Sequence, residues 1–190
     1  MLELEEKILK EGKIINEHIL KVGSFLNQQI DVSFLMKMGE EISRLYEGTG
    51  VTKILTIESS GIAIATVAAA KMNVPFVFAK KDKSNNIAND VYSASVHSFT
   101  HGNTYDAVVS KEYLDKNDKI LIIDDFLARG NALHGLISIV SQAEAELVGV
   151  AIAIEKGFQG GGDQLREKGI RIESLALIDS MSAEKVSFRR

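Results

Sequence analysis

The segment from Lys53 to Ala79 restricts the fold more than any other part of the chain. Lys53 to Ile57 is a short apolar run of strand type that ends at Glu58-Ser59-Ser60-Gly61. An Ala-rich helical stretch, Ile62 to Lys71, follows, and its small side chains let a helix pack close to a sheet. Val74 to Ala79 reads as the next strand, with Pro75 near its start, where a missing N–H is tolerated. A strand–helix–strand unit of this length sets its two strands parallel, and parallel strands need cover on both faces. The pattern recurs downstream. Lys119 to Ile123 reads as a central strand, Ala132 to Gln142 as a helix, and Leu147 to Ile154 as a strand. A Gly-rich turn at Gly160-Gly161-Gly162, a short helix from Asp163 to Lys168 and a last strand from Ile170 to Ala176 complete it. The expected class is α/β: a twisted parallel sheet flanked by helices.

Two regions fall outside that alternation. At the N-terminus Leu4 and Ile8 share a helical face, Gly12 interrupts it, and Ile14 to Leu20 is expected to add another turn or two of helix. Asp31 is placed to cap a longer helix in which Phe34, Met38, Ile42 and Leu45 recur at spacings of four and three. Between Lys80 and Lys111, a polar run (Lys80, Lys81, Lys83, Asn85, Asn86, Asn89, Asp90) precedes two strand-like segments, Val91 to Val96 and Tyr105 to Val109. The loop between them, His97 to Asn103, is polar and contains Gly102. This predicts a long hairpin projecting from the sheet, suited to act as a lid. The final Phe188-Arg189-Arg190 is expected to fray.

Composition removes several classes of function. The chain of 190 residues fits a single domain and contains no Cys, which excludes disulfides, Cys-ligated zinc, iron–sulfur centres and thiol catalysis. With 22 Lys plus Arg against 26 Asp plus Glu, the formal net charge of -4 argues against nucleic acid as the main partner. The opening MLELEEKILKEG alternates acidic and apolar residues and has no signal-peptide hydrophobic region. The longest apolar runs, around Ile62 to Ala70 and Leu121 to Ile123, fall well short of a membrane span. The expectation is a cytoplasmic protein without a membrane or nucleic-acid partner.

Ligands of open α/β sheets bind beyond the carboxyl ends of the strands. Four polar groups stand at such ends here: Glu58 to Gly61, Lys80-Lys81, Asp124-Asp125 and Glu155-Lys156. The acids are followed by Ala128-Arg129-Gly130-Asn131-Ala132, directly before a helix. Backbone N–H groups of such a loop converge on an anion, the helix N-terminus favours it, and Gly130 permits close approach. Arg129 either adds charge there or pairs with a neighbouring acid. Two adjacent acids repel a bare phosphate and suit hydroxyl groups, with Mg²⁺ as a second fit. A ribose 5-phosphate satisfies both features, its phosphate in the loop and its hydroxyls on the acids. Neither GxGxxG nor GxxxxGK[ST] occurs, which disfavours a dinucleotide fold and a P-loop ATPase, and Ser59-Ser60-Gly61 is not a nucleophile elbow. His18, His97, His101 and His134 are too scattered for a metal set, so no protein metal site is read. His97 and His101, four apart in the hairpin loop, are candidates for a role in closure.

The segment Leu121 to Ala132 resembles the phosphoribosyl-diphosphate motif of the type I phosphoribosyltransferases: an apolar strand, two acids, then typically Thr-Gly-Gly-Thr. Here Arg129, Asn131 and Ala132 depart from that ending, which removes hydroxyls that normally bond the phosphate. The Ala-Arg-Gly-Asn-Ala variant, the N-terminal helices, Glu58 to Gly61, the hairpin and the ending Ser187 to Arg190 resemble the bacterial branch of the family that uses xanthine. The resemblance implies one domain over residues 1–190, with a small hood formed by about residues 1–36 and the C-terminus, and a flexible hairpin at 91–109. It implies that Asp124 and Asp125 contact the ribose hydroxyls in catalysis. Ala128, Arg129, Gly130, Asn131 and Ala132 would hold the 5-phosphate, and Ser59, Ser60 and Gly61 the pyrophosphate. Related adenine enzymes usually carry Arg where Ser60 stands, so Lys81 is assigned the direct charge. The purine would meet Leu20, Asn27, Phe126 and Lys156; a cationic donor at Lys156 suits an oxo group and not the amino group of adenine. Mg²⁺ carried mainly by phosphoribosyl diphosphate, xanthine as second substrate and a homodimer are also implied. A hypoxanthine/guanine or adenine enzyme, and a regulator that senses phosphoribosyl diphosphate, are the alternatives.

Overall fold

The computed structural model describes residues 1–16, 19–82, 90–98, 103–183 and 185–189. His18, Lys83, Asn85, Asn86, Asn89, His101 and Arg190 lie outside them. The chain opens with α1 (Leu2–Glu11), β1 (Lys13–Asn16), β2 (Ile19–Lys21), a π-helical turn (Gly23–Asn27) and α2 (Val32–Leu45). Then come β3 (Lys53–Ile57), α3 (Ser60–Met72), β4 (Phe76–Asp82), β5 (Val91–Ser98) and β6 (Asn103–Ser110). The C-terminal half holds β7 (Lys119–Leu127), α4 (Asn131–Gln142), β8 (Glu146–Lys156), α5 (Gly161–Glu167), β9 (Ile172–Met181) and β10 (Val186–Phe188).

Eight strands form one sheet in the order β10-β9-β8-β7-β3-β4-β6-β5. The five central strands, β9 to β4, are parallel, as the strand–helix–strand reading requires. The edges are antiparallel: β10 on β9 at one side, and the β5–β6 hairpin on β4 at the other. The expected hairpin is therefore rooted in the sheet as its edge, Lys80 to Asp82 pairing with Val108 to Asp106. α4 covers β5 and β6.

Period-two alternation sorts the buried side chains onto the two faces. Ile120, Ile122, Val150 and Ile152 join Leu136 and Ile139 of α4 on one face. Leu121, Ile123, Ala151 and Ala153 meet Ile64 and Ala68 of α3 and the N-terminal residues Leu4, Phe25 and Met38 on the other. Asp31 caps α2 as expected, its Oδ1 accepting from the Phe34 N–H at 3.1 Å.

Four expectations need correction. The chain does not fray at Phe188 and Arg189: Phe188 pairs with Ile178 in β10, and the Arg189 N–H donates to the Leu177 carbonyl at 2.8 Å. Ile14 to Leu20 does not continue as helix: α1 ends at Glu11, and Lys13 and Ile14 pair with Lys21 and Leu20 in an antiparallel hairpin. Ile15 and Ile19 are exposed, so the run has no helical stripe to bury. The central strand runs past the acids to Leu127, because Phe126 and Leu127 find partners in Ile154 and Glu155 of β8. The last long strand starts at Ile172 and runs to Met181, where β10 extends the sheet beyond it.

Candidate functional site

Taken alone, the central strands follow the order β4-β3-β7-β8-β9, and the winding reverses between β3 and β7. At such a switch point the loops leaving the two strands diverge and open a crevice. One wall is Glu58 to Gly61 leading into α3; the other is Asp124 to Ala132 leading into α4. Two helix N-termini thus face one crevice, each with unsatisfied N–H groups and the positive end of a helix dipole.

The two walls meet at Gly61. A Cβ there would collide with the Thr56 hydroxyl and lie 3.2 Å from Asp124 Oδ1. Thr56 Oγ1 is buried beneath this junction and finds no hydrogen-bond partner among the described residues. Asp124 is buried, with Oδ1 accepting from the Asp125 N–H at 2.9 Å. Burial, and then the charge of Asp125 beside it, holds the Asp124 carboxyl well above the ordinary carboxylate range. Lys81 acts in the opposite sense on the same carboxyl. Asp125 is half-buried, and its Oδ2 accepts from Asn27 Nδ2 at 3.4 Å, which brings the π-helical turn that ends at Asn27 onto the acid pair.

Ser59 precedes α3 and Ser60 opens it, after a cis peptide between Glu58 and Ser59. Glu58 Oε1 accepts from the Lys81 backbone N–H at 2.6 Å, so the first strand end holds the second. The Lys81 ammonium stands 5.3 Å from the centre of the Tyr105 ring. Across the crevice Gly130 adopts φ 83°, a left-handed conformation that turns the chain from β7 into α4. Arg129 is exposed at the tip of this loop, between Ala128 and Gly130. Asn131 opens α4, and its Nδ2 donates to the His97 carbonyl of the hairpin at 2.9 Å. Ala132 follows it in the first turn of the helix.

Lys156 ends β8 with its ammonium 5.4 Å from the centre of the Phe126 ring, and burial lowers its pKa. β8, which Lys156 ends, lies beside β7 on the side away from β3. Leu20 is buried in β2 within the hood core. Glu155, grouped by sequence with the polar strand ends, does not face the crevice. It is 1% exposed and bonded by Arg166 at 2.8 and 2.6 Å and by the Ser174 hydroxyl. Sequence reasoning missed this pairing, and it missed the contact of Gly161 with the Ala128–Gly130 loop. The run Gly160-Gly161-Gly162 was the available signal, since three glycines exceed what a turn needs. Among the described residues no group of three or more His, Cys, Asp and Glu can hold a metal ion, and no helix is long and apolar enough to cross a membrane.

The arrangement thus has two helix N-termini, an acid pair between them and a half-buried cation on an aromatic face. Comparison with known proteins agrees. Residues 25–182 match the family described as the phosphoribosyl transferase domain. The chain is 54% identical over 185 residues to the xanthine phosphoribosyltransferase of Ruminiclostridium cellulolyticum, covering 97% of each chain. It is 53% identical over 190 residues to xanthine phosphoribosyltransferase 1 of Clostridium perfringens, covering both chains completely. Among solved structures, adenine phosphoribosyltransferase of Giardia lamblia superposes with a TM-score of 0.76 at 20% identity, covering 90% of this chain and 96% of that one. The Trypanosoma brucei adenine enzyme, crystallised with AMP, pyrophosphate and ribose-5-phosphate, gives 0.73 at 22%, covering 89% and 77%. At those identities the structures speak for the fold.

Proposed function

The chain belongs to the phosphoribosyltransferase family, and from that premise we propose that it is a xanthine phosphoribosyltransferase of purine salvage. It transfers the 5-phosphoribosyl group of phosphoribosyl diphosphate to xanthine, giving xanthosine 5′-monophosphate and pyrophosphate. The observation that carries the choice of base is Lys156, a half-buried cation over Phe126 beside the acid pair, in a chain about half identical to relatives named for xanthine. A cationic donor pairs with an oxo group and repels an amino group.

In this reading the bond from ribose C1 to the pyrophosphate oxygen breaks early, and a purine nitrogen then bonds C1 and loses its proton. No protein nucleophile takes part. The chain positions three parts and excludes water. Main-chain N–H groups of Ala128 to Ala132 hold the 5-phosphate, and those of Ser59, Ser60 and Gly61, with Lys81, hold the pyrophosphate. Asp124 and Asp125 accept hydrogen bonds from the ribose hydroxyls. Such donors favour the ionised carboxyl, so substrate draws Asp124 toward the charged form that burial disfavours. Negative charge there stabilises the positive charge that develops on the ribose. Asn27, already bonded to Asp125, lies where the hood meets the base and can both donate and accept.

The donor set does not make a closed cage, and Mg²⁺ is commonly bound through one or two carboxylates together with substrate phosphates. Asp125, half-buried and adjacent to Asp124, fits that pattern. Mg²⁺ held chiefly by phosphoribosyl diphosphate would offset the charge of the departing pyrophosphate. The β5–β6 hairpin is the proposed lid, within a single domain over 1–190 whose hood is mainly residues 1–36. We read the protein as cytoplasmic, and as a homodimer. Exposed Leu2, Leu9, Val32 and Met36 on the hood offer a second copy an apolar face.

Steady-state rates with xanthine, guanine, hypoxanthine and adenine test the reading. Xanthine should be preferred, and Asp125→Asn should fold normally while losing at least ~100-fold in turnover, as an electrostatic stabiliser does. Equal use of adenine, or unchanged turnover in Asp125→Asn, refutes it.

A further inference from the structure

We propose that Gly161, at the start of α5, is a positioning residue for the 5-phosphate loop. The inference rests on the function proposed above. The Gly161 N–H donates to the Ala128 carbonyl at 3.2 Å, so α5 lies directly behind the loop. A Cβ on Gly161 would collide with the Ala128 oxygen, at 2.5 Å from the Arg129 carbonyl carbon and 2.8 Å from the Gly130 nitrogen. All three are main-chain atoms, which cannot rotate aside as a side chain can. One helical turn later, Leu165 is buried with Cδ1 3.5 Å from where a Cβ of Gly130 would stand. The loop therefore rests on α5 over its first three residues.

A backstop works only if it is itself fixed, and α5 is fixed from two directions. A Cβ at Gly162 would lie 2.7 Å from the Glu155 carboxyl carbon, and Arg166 locks that carboxylate at 2.8 and 2.6 Å. From the C-terminal tail, Arg189 Nη1 bonds both oxygens of Asp163 at 3.0 and 2.9 Å. Glu155 is the residue before Lys156. α5 is thus a strut between the loop that receives the phosphate and the strand that carries the lysine for the base.

The loop holds phosphate by the directions of its N–H groups, and hydrogen bonds weaken steeply as donor angles fall. The missing hydroxyls of the Thr-Gly-Gly-Thr pattern leave this loop more dependent on its main-chain path than a Thr-rich one. A methyl at Gly161 pushes that path outward.

The test compares Gly161→Ala with Leu165→Val, a milder loss of support, and with Gly48→Ala. Gly48 has φ 72° and nothing within 4 Å of a Cβ, so its substitution strains the backbone far from the crevice. Four quantities are measured: KM for phosphoribosyl diphosphate, affinity for ribose 5-phosphate, inhibition by pyrophosphate, and KM for xanthine. In Gly161→Ala the two ligands bearing a 5-phosphate should weaken together by roughly 10- to 100-fold, the scale of a displacement near 1 Å. Pyrophosphate inhibition and the xanthine KM should stay within about twofold, and Leu165→Val should show the same split at smaller size. Gly48→Ala should melt earlier with all four constants unchanged. A folded Gly161→Ala with wild-type affinity for ribose 5-phosphate, or an equal loss for all four ligands, overturns the proposal. Should Gly161→Ala not fold, the same criterion applies to Leu165→Val. Failure of the wild-type protein to use phosphoribosyl diphosphate would instead overturn the proposed function.

Discussion

Phe126 offers the sharpest probe of the proposed base site. Its ring centre lies 5.4 Å from the Lys156 ammonium, and burial already lowers the pKa of that group. A cation over an aromatic face gains about 0.5–1 kcal/mol when exposed and about 2 kcal/mol when desolvated. Lys156 is half-buried, so about 1 kcal/mol is the appropriate figure. Replacing Phe126 with Leu keeps an apolar side chain against the surrounding core and removes only the ring face. A loss of about 1 kcal/mol corresponds to roughly a fivefold rise in the xanthine KM. The same change removes support for the ammonium form, so the Lys156 pKa falls further in the direction burial already pushes it. The sign follows: the donor proton is present below the Lys156 pKa and lost as pH rises through it, so the alkaline limb of activity moves to lower pH. Steady-state kinetics at saturating phosphoribosyl diphosphate across an alkaline pH series measures both effects, with Phe126→Tyr as the ring-retaining control. A folded Phe126→Leu with unchanged xanthine KM and an unmoved alkaline limb refutes the reasoning, as does an equal rise in the KM of both substrates.

Two further outcomes follow from the buried charges. Arg166→Met leaves the Glu155 carboxylate uncompensated inside the sheet and should cost about 3–5 kcal/mol. At about 2–4 °C per kcal/mol this lowers Tm by roughly 6–20 °C, and adding Glu155→Gln should restore most of it; a drop under about 2 °C would contradict the burial argument. Asp124 has its folded pKa raised by burial and by Asp125. Its stabilising contribution is therefore present below the unfolded pKa and lost as pH rises through the folded one. Asp124→Asn has no proton to lose, so the ligand-free variant should melt above wild type at alkaline pH with a flatter pH slope, while losing turnover. Melting curves at several pH values check this, and an unchanged slope counts against it.

The parallel sheet and the acid pair were legible because each is written in consecutive residues. Ile120 to Ile123 alternate between the two cores and deliver Asp124 and Asp125 to the strand end, and the same stretch carries the loop that enters α4. Where the reading failed, local signals were weak or outvoted. Ile14-Ile15 and Ile19-Leu20 are apolar pairs split by Asn16-Glu17-His18, too short to show a period, and the pairing of Ile14 with Leu20 was settled by register rather than propensity. β7 outran its predicted end because β8 offered partners to Phe126 and Leu127, a matter of the neighbouring strand.

The contacts that escaped notice share a different cause. Asn27 reaches Asp125 across 98 positions, Asn131 reaches His97 across 34, and Glu155 is held by Arg166 from the next element. Each such contact has no periodicity of its own and exists only after the chain has wound around the switch point. Residues that touch ligand lie in the loops that a motif spans. Those that set the loops' positions lie wherever the topology happens to press another element against them. For the loop from Ala128 to Ala132 that element is α5, and its mark in the sequence is only a glycine, the side chain that is absent. A motif can therefore report what the crevice binds while staying silent on what holds its walls in place.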